Sequence, residues 1–211
     1  VIRDRNHACV CIWSLGNEAG DGENFKYMKQ AILYHDDSRP VHYEGDFDLT
    51  TSDFISRMYP NGEMMEKLGT RQPITVSMFE NIANSLAADN KPITAEMYRG
   101  KPVVLCEFAH AMENSLGNFQ EFMDAFEKYD NLCGGFIWDF VDQAIHKKEN
   151  GVDKWLYGGD FDEGATSGYF CANGIIAADR TPHPSYYEVK KVYQPIHYGG
   201  AEPAQRQKSG C

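Results

Sequence analysis

Apolar and polar positions in this chain fall into short blocks whose period switches between strand-like and helix-like. The run "ACVCIW" (8 to 13) is apolar and predicts a strand. Residues 21 to 35 then place Phe25, Met28, Ile32 and Leu33 on one helical face. "VHYE" (41 to 44) and "FISRMY" (54 to 59) predict two more strands, separated by little more than a loop. "MFENIANSLAAD" (78 to 89) carries Phe79, Ile82, Ala83 and Leu86 at helical spacing. "VVLCE" (103 to 107) has four apolar residues in a row, the pattern of a strand covered on both faces, and it ends on a carboxylate. In 118 to 129, Asn118 and Glu121 resemble a capping box, and Phe119, Phe122, Met123 and Phe126 form a buried stripe. "GGFIWDF" (134 to 140) predicts a fifth strand, and 185 to 193 a last helix with Pro184 at its first position.

Alternating strands and helices are the signature of a parallel sheet wrapped by helices, an α/β fold. Five strands do not close a barrel, and by count alone an open doubly wound sheet fits. Two features favour part of a β/α barrel. Polar or aromatic residues recur where strands stop: Asn17 and Glu18, Glu44, Tyr59, Glu107, then Trp138 and Asp139. Active-site residues gathered from the tips of several strands are the habit of eight-stranded β/α barrels.

Composition narrows the classes. At 211 residues, with 42% hydrophobic and 13% aromatic content, the chain can build one sizeable core. A formal charge of −11 argues against a nucleic-acid partner, which needs a basic face. No stretch approaches the roughly 20 apolar residues of a membrane-spanning helix. Cys9, Cys11, Cys106, Cys133, Cys171 and Cys211 form no CxxC pair and mostly sit in apolar runs, which predicts reduced, buried thiols and a cytoplasmic setting. The start, "VIRDRNH", lacks Met and reads as mid-domain sequence. Residues 1 to 198 read as the domain, and the Gly- and Pro-containing stretch 199 to 211 as a linker or disordered tail.

The candidate chemistry rests on two carboxylates. A buried Glu without a partner is costly, so Glu107 at the end of its strand is either paired or kept for chemistry. Glu18, preceded by Asn17, also follows a strand; on its own that pair is as readily a loop or a helix cap. Together, two carboxylates converging from strand tips on one rim match what glycoside hydrolysis needs: one ionised, the other protonated to donate to the leaving oxygen.

A resemblance follows from these blocks in order: "RDRNHACVCIWSLGNEAGDG", "SRPVHYEG", "MYP", "VVLCEFAHAMENSLGNF", "GGFIWDFVDQ", "YGGDF" and "FCANGIIAADRTPHP". From about residue 3 to 198 the chain resembles the second half of the catalytic TIM barrel of the large β-galactosidases of glycoside hydrolase family 2. The resemblance implies that the five strands are the barrel's fourth to eighth. It implies Glu107 as nucleophile and Glu18 as acid/base, with Tyr59 hydrogen-bonded to the nucleophile. Asn17, His110, Trp138 and Asn173 would contact the sugar, Trp138 as an aromatic floor. Glu18 would also be a ligand of Mg2+, while the Phe170 carbonyl and Asn173 would be ligands of Na+, the remaining ligands coming from upstream sequence. Plainer readings exist: Tyr59 satisfying a buried polar group, His110 capping a loop, Trp138 filling core.

The implied reaction is retaining hydrolysis of a terminal β-galactoside, for which the two carboxyl groups lie about 5 to 5.5 Å apart. β-Glucuronidases resemble a different flank, with Pro after the first Glu and no "AHAM" after the second. The full-length enzyme is expected to be a homo-oligomer, and this piece alone to have little activity or to act only as a carbohydrate-binding or assembly fragment. One departure stands out: Glu113 occupies a position where the family usually has glycine, which adds charge and restricts the backbone.

Overall fold

The computed structural model describes residues 1–75 and 92–196; the helix expected over 78 to 89 and the tail from 199 lie outside the described residues. Five parallel strands follow one another: β1 (Trp13–Ser14), β2 (Val41–His42), β3 (Ile55–Met58), β4 (Val103–Phe108) and β5 (Leu132–Ile137). β1 pairs with β2, and β3, β4 and β5 form a second sheet. Between the two sheets, the Asp53 N–H donates to the Val41 carbonyl at 2.8 Å and His42 Nε2 meets Ser56 Oγ at 2.8 Å, so spatial order keeps chain order. Beyond β5, Val141 makes a parallel bridge to Ile176 and extends the arc. The described residues form an open arc of barrel and not a closed one.

Helices α1 (Glu23–His35), α2 (Gly62–Gly69), α3 (Phe119–Lys128) and α4 (Pro184–Val192) lie between and after these strands. The outer face of β4 makes the main core: Val103, Leu105 and Phe108 are fully buried and cluster with Ile55, Leu68, Phe119, Leu132, Val189 and Val192. The ring of Phe108 meets those of Phe119, Phe122 and Phe126 at 5.2–5.7 Å, so the predicted α3 stripe does cover the sheet. A second, smaller cluster joins Leu15, Val41 and Tyr43, with Phe25 stacked on Tyr43 at 4.0 Å. No helix among the described residues is long and apolar enough to cross a membrane.

Several expectations need correction. The first strand shrinks to two residues: ahead of Trp13 the chain turns, the Val10 N–H donating to the His7 carbonyl at 3.1 Å, and Arg39 donates to the Val10 carbonyl at 2.6 Å. No residue of α1 is fully buried; Phe25 and Ile32 pack inward while Met28 and Leu33 stay exposed. Asn118 makes no side-chain cap, since it sits at φ +57° and its carbonyl, not its amide, meets α3. Cys9, Cys11, Cys106, Cys133 and Cys171 are free thiols as expected, but Cys9, Cys11 and Cys133 are exposed, contrary to the buried reading.

A 3₁₀ turn (Ala95–Tyr98), a helix and a hairpin went unpredicted. α2 is only eight residues long and is started by Asn61, whose side chain accepts from the Met64 N–H. An antiparallel hairpin, β6 (Ile145–Glu149) and β7 (Val152–Leu156), turns at Asn150 and Gly151, both at positive φ. Its strands are charged and exposed, so no apolar run announces them. The Asn-Gly pair was the available signal.

Candidate active site

β4 alternates as a barrel strand should until Cys106. Val103 and Leu105 face the helices, whereas Val104 and Cys106 line a cavity on the inner side of the arc. Strict alternation would send Glu107 outward into the helix layer and Phe108 inward. The register with β3 shifts at this point: Arg57 pairs with Leu105, but Met58 pairs with Glu107. One extra residue therefore turns Glu107 into the cavity beside Cys106 and seats Phe108 in the core, the kind of re-aiming a bulge performs near functional sites. This answers why a buried strand ends on a carboxylate.

The cavity, ≈ 410 Å³, is lined by Asn17, His42, Glu44, Glu107, Phe136 and Trp138 among others. Tyr59 O–H donates to Glu107 Oε2 at 2.5 Å, and the Tyr59 N–H donates to the Glu107 carbonyl at 3.0 Å. Glu18 sits at the exposed edge, its backbone N–H held by the Glu44 carboxylate. Glu18, Tyr59 and Ala109 all occupy the left-handed region, at φ +48°, +47° and +50°. Such residues cost about 1–2 kcal/mol each and persist where surrounding structure fixes them. All three lie just past strand tips on one rim.

Burial pushes the Glu107 carboxyl above its ordinary range; the Tyr59 hydrogen bond opposes this, while the charges of Glu18, Glu44 and Asp139 add to it. The Tyr59 hydroxyl is raised, first by burial and then by its bond to Glu107. Burial also pushes the Cys106 thiol up to about 12, which keeps it neutral. His110 is lowered by burial and so favours the neutral imidazole. Its ring lies 5.6 Å from that of Tyr59 and 5.9 Å from that of Phe170, joining the hydrogen-bond partner of Glu107 to the Phe170 segment. Trp138 is held at both ends, its N–H donating to the Phe108 carbonyl and its own carbonyl accepting from Ala111.

Asn173 is almost fully buried; its Nδ2 donates to the Phe170 carbonyl at 3.1 Å, and its Oδ1 has no hydrogen-bond partner. A buried, unsatisfied oxygen is the donor chemistry a hard cation takes, and with the amide turned so that Oδ1 in place of Nδ2 faces the Phe170 carbonyl, this pair fits Na+. For Mg2+, Glu18 alone represents the expected ligands: among the described residues no group of three or more His, Cys, Asp or Glu is placed to hold a metal.

The structure thus brings Asn17, Tyr59, Glu107 and Trp138 around or beside one cavity, links His110 and Phe170 to Tyr59 by ring contacts, and leaves Glu18 at the edge. Glu44 was not chosen as a site residue, although it ends the run "VHYE" as Glu107 ends "VVLCE" and anchors the Glu18 backbone. His42 and Phe136 were also missed; neither ends a predicted strand.

The family described as glycosyl hydrolases family 2, TIM barrel domain, matches residues 1–198. A curated protein named β-galactosidase from Pectobacterium atrosepticum is 42% identical over 200 residues, covering 94% of this chain and 18% of that protein. Another of that name from Vibrio cholerae is 42% identical over 207 residues, covering 96% and 19%. The chain therefore spans less than a fifth of the length of these relatives. Among solved structures, a GH2 β-galacturonidase from Eisenbergiella tayi bound to galacturonate superposes with a TM-score of 0.55 at 20% identity, covering 91% of this chain and 34% of the other. A β-glucuronidase from Ruminococcus gnavus, in complex with a C6-substituted uronic isofagomine, gives 0.52 at 21%, covering 91% and 34%. At these identities the likeness concerns the fold.

Proposed function

Because this chain belongs to the family 2 glycosyl hydrolases, as a portion of their TIM barrel domain, we propose that it forms the nucleophile side of a retaining β-galactosidase site. The observation that carries this reading is the register shift that turns Glu107 into the cavity, within hydrogen-bond reach of Tyr59. The similar proteins named β-galactosidase direct the choice of sugar.

In this reading Glu107, ionised, attacks the anomeric carbon while Glu18 protonates the departing oxygen; Glu18 then activates water to release the sugar. Tyr59 donates to the carboxylate that attacks and so counters the burial that favours its neutral form. Trp138 offers an apolar ring face to galactose, and Asn17 and neutral His110 offer hydrogen bonds to its hydroxyls. Na+ held by Asn173 and the Phe170 carbonyl would present a positive charge to sugar oxygens, and Mg2+ with Glu18 among its ligands would place a second positive charge at the rim. The substrate is a terminal β-D-galactoside of the lactose type, and the 211-residue chain alone, with one magnesium ligand, turns over little or none.

The test is covalent labelling of the full-length protein with a 2-fluoro-galactoside bearing a good leaving group. The label is expected on the peptide containing Glu107, and Glu107→Gln is expected to lower turnover of a chromogenic β-galactoside by about 10³-fold or more. Label on another carboxylate, or first release of the α-anomer, overturns the reading.

A further inference from the structure

The segment that carries Phe170 and Asn173 is not a free loop. Residues Asn173 to Ile176 run alongside Asp139 to Asp142: the Asp139 N–H donates to the Asn173 carbonyl, the Ile175 N–H to the Asp139 carbonyl, and the Asp142 N–H to the Ile176 carbonyl, at 2.6–3.0 Å. Gly174 lies directly on that backbone; a Cβ there would stand 2.3 Å from the Asp142 nitrogen and 2.4 Å from the Val141 carbonyl carbon. Asp142 then reaches two partners with its two oxygens. Oδ1 accepts from the Gly174 N–H at 2.8 Å, the residue next to Asn173, and Oδ2 meets Nε2 of His183 at 2.7 Å. His183 precedes α4 directly, and its own N–H donates to the Ile175 carbonyl at 3.1 Å. His183 thus grips the segment twice, once by its backbone and once through Asp142.

We infer that Asp142 and His183 are a positioning pair that fixes where Asn173 presents its buried Oδ1 and Phe170 its carbonyl, coupling the seat of α4 to the cation and sugar contacts. Neither side chain touches the reacting atoms. The inference rests on the reading of Asn173 and Phe170 given above, but its central claim concerns this chain's own geometry. The pair lies beside a separate pocket of ≈ 400 Å³, so substitutions there leave the catalytic cavity's lining unchanged. A carboxylate whose two oxygens are both bound in fixed directions is a stronger clamp than a neutral acceptor.

Amide exchange followed by mass spectrometry on the full chain tests this. His183→Ala should speed exchange across residues 170–176 by about tenfold, the scale of one lost charge-assisted hydrogen bond. His183→Gln, which keeps an amide donor at similar reach, should restore protection. Val189→Ala, a cut in the α4 core, serves as the control for mere loosening and should not single out that segment. Unchanged exchange at 170–176, or indistinguishable patterns in His183→Ala and Val189→Ala, overturns the inference. In the full-length protein, sodium in place of potassium should raise the melting temperature of wild type and of His183→Gln, and His183→Ala should lose most of that rise. A rise fully retained in His183→Ala also overturns the pair's role. No sodium-specific rise in wild type overturns the cation reading instead, and the exchange result alone then decides the pair.

Discussion

The two candidate carboxylates sit on parts of the arc built to different standards. Glu107 is next to last in a six-residue strand paired on both sides, with Leu105 and Phe108 locked into a core that draws on three helices. Glu18 follows a two-residue strand whose core is Leu15, Val41 and Tyr43, beneath a helix with no fully buried residue. The difference teaches that this stretch of chain contains its own scaffold for Glu107, while Glu18, its backbone N–H held by the Glu44 carboxylate, rests on a thin cluster.

The largest expected effect probes that asymmetry directly. Phe108→Ala removes a ring in contact with three α3 aromatics and should cost about 3–5 kcal/mol, enough to unfold a marginal chain. Leu15→Ala in the smaller cluster should cost about 2 kcal/mol, the low end for such truncations, because the site can collapse. Chemical denaturation of both variants checks the ranking. Equal losses would erase the contrast between the two blocks.

The strands β3, β4 and β5 were legible from their apolar runs, and α4 from Pro184, because there burial and local propensity agree. The first strand was not: the Val10 N–H turns back to His7 and the Val10 carbonyl accepts from Arg39, contacts that an apolar run does not show. The cysteine-burial reading failed with it, since Cys9 and Cys11 lie in that same stretch. For the site, Glu107 and Tyr59 could be named from strand ends and motif, but the bulge that aims Glu107 could not, because Leu105, Cys106 and Glu107 read equally well as unbroken alternation. Glu44 shows the opposite failure: its strand-end position was visible and went unused.

A smaller effect separates function from stability at Glu107. Its folded-state pKa is raised, chiefly by burial, so this one group's contribution to stability is fully present at low pH and is lost as pH rises through its titration. Glu107→Gln abolishes that loss. The variant should match wild type below the unfolded glutamate pKa of about 4.3 and be the more stable protein at neutral pH. Denaturation midpoints across that window give the answer; a variant less stable at neutral pH would mean that Tyr59 outweighs burial. Tyr59→Phe should act in the opposite sense, raising the Glu107 pKa further and moving the acidic limb of the full-length protein's pH–activity profile upward, with about tenfold lower turnover on the acidic side.

The smallest effect concerns Glu113, on the loop that follows β4. Its backbone sits at φ +58°, where glycine is at home and a glutamate is strained. Its carboxylate accepts from the Tyr169 hydroxyl at 3.2 Å, an exposed bond beside Phe170. Glu113→Gly relieves the strain, gives up that bond and adds unfolded-state entropy, so the terms nearly cancel. Because the left-handed penalty is the largest of them, the melting temperature should rise by about 2 °C. Glu113→Gln keeps an acceptor and the strained backbone, and should leave the melting temperature close to wild type. If Glu113→Gly instead lowers it, the Tyr169 bond is worth more than its exposure suggests, and the loop bearing His110 is tied to the Phe170 segment more firmly than the ring contacts alone imply.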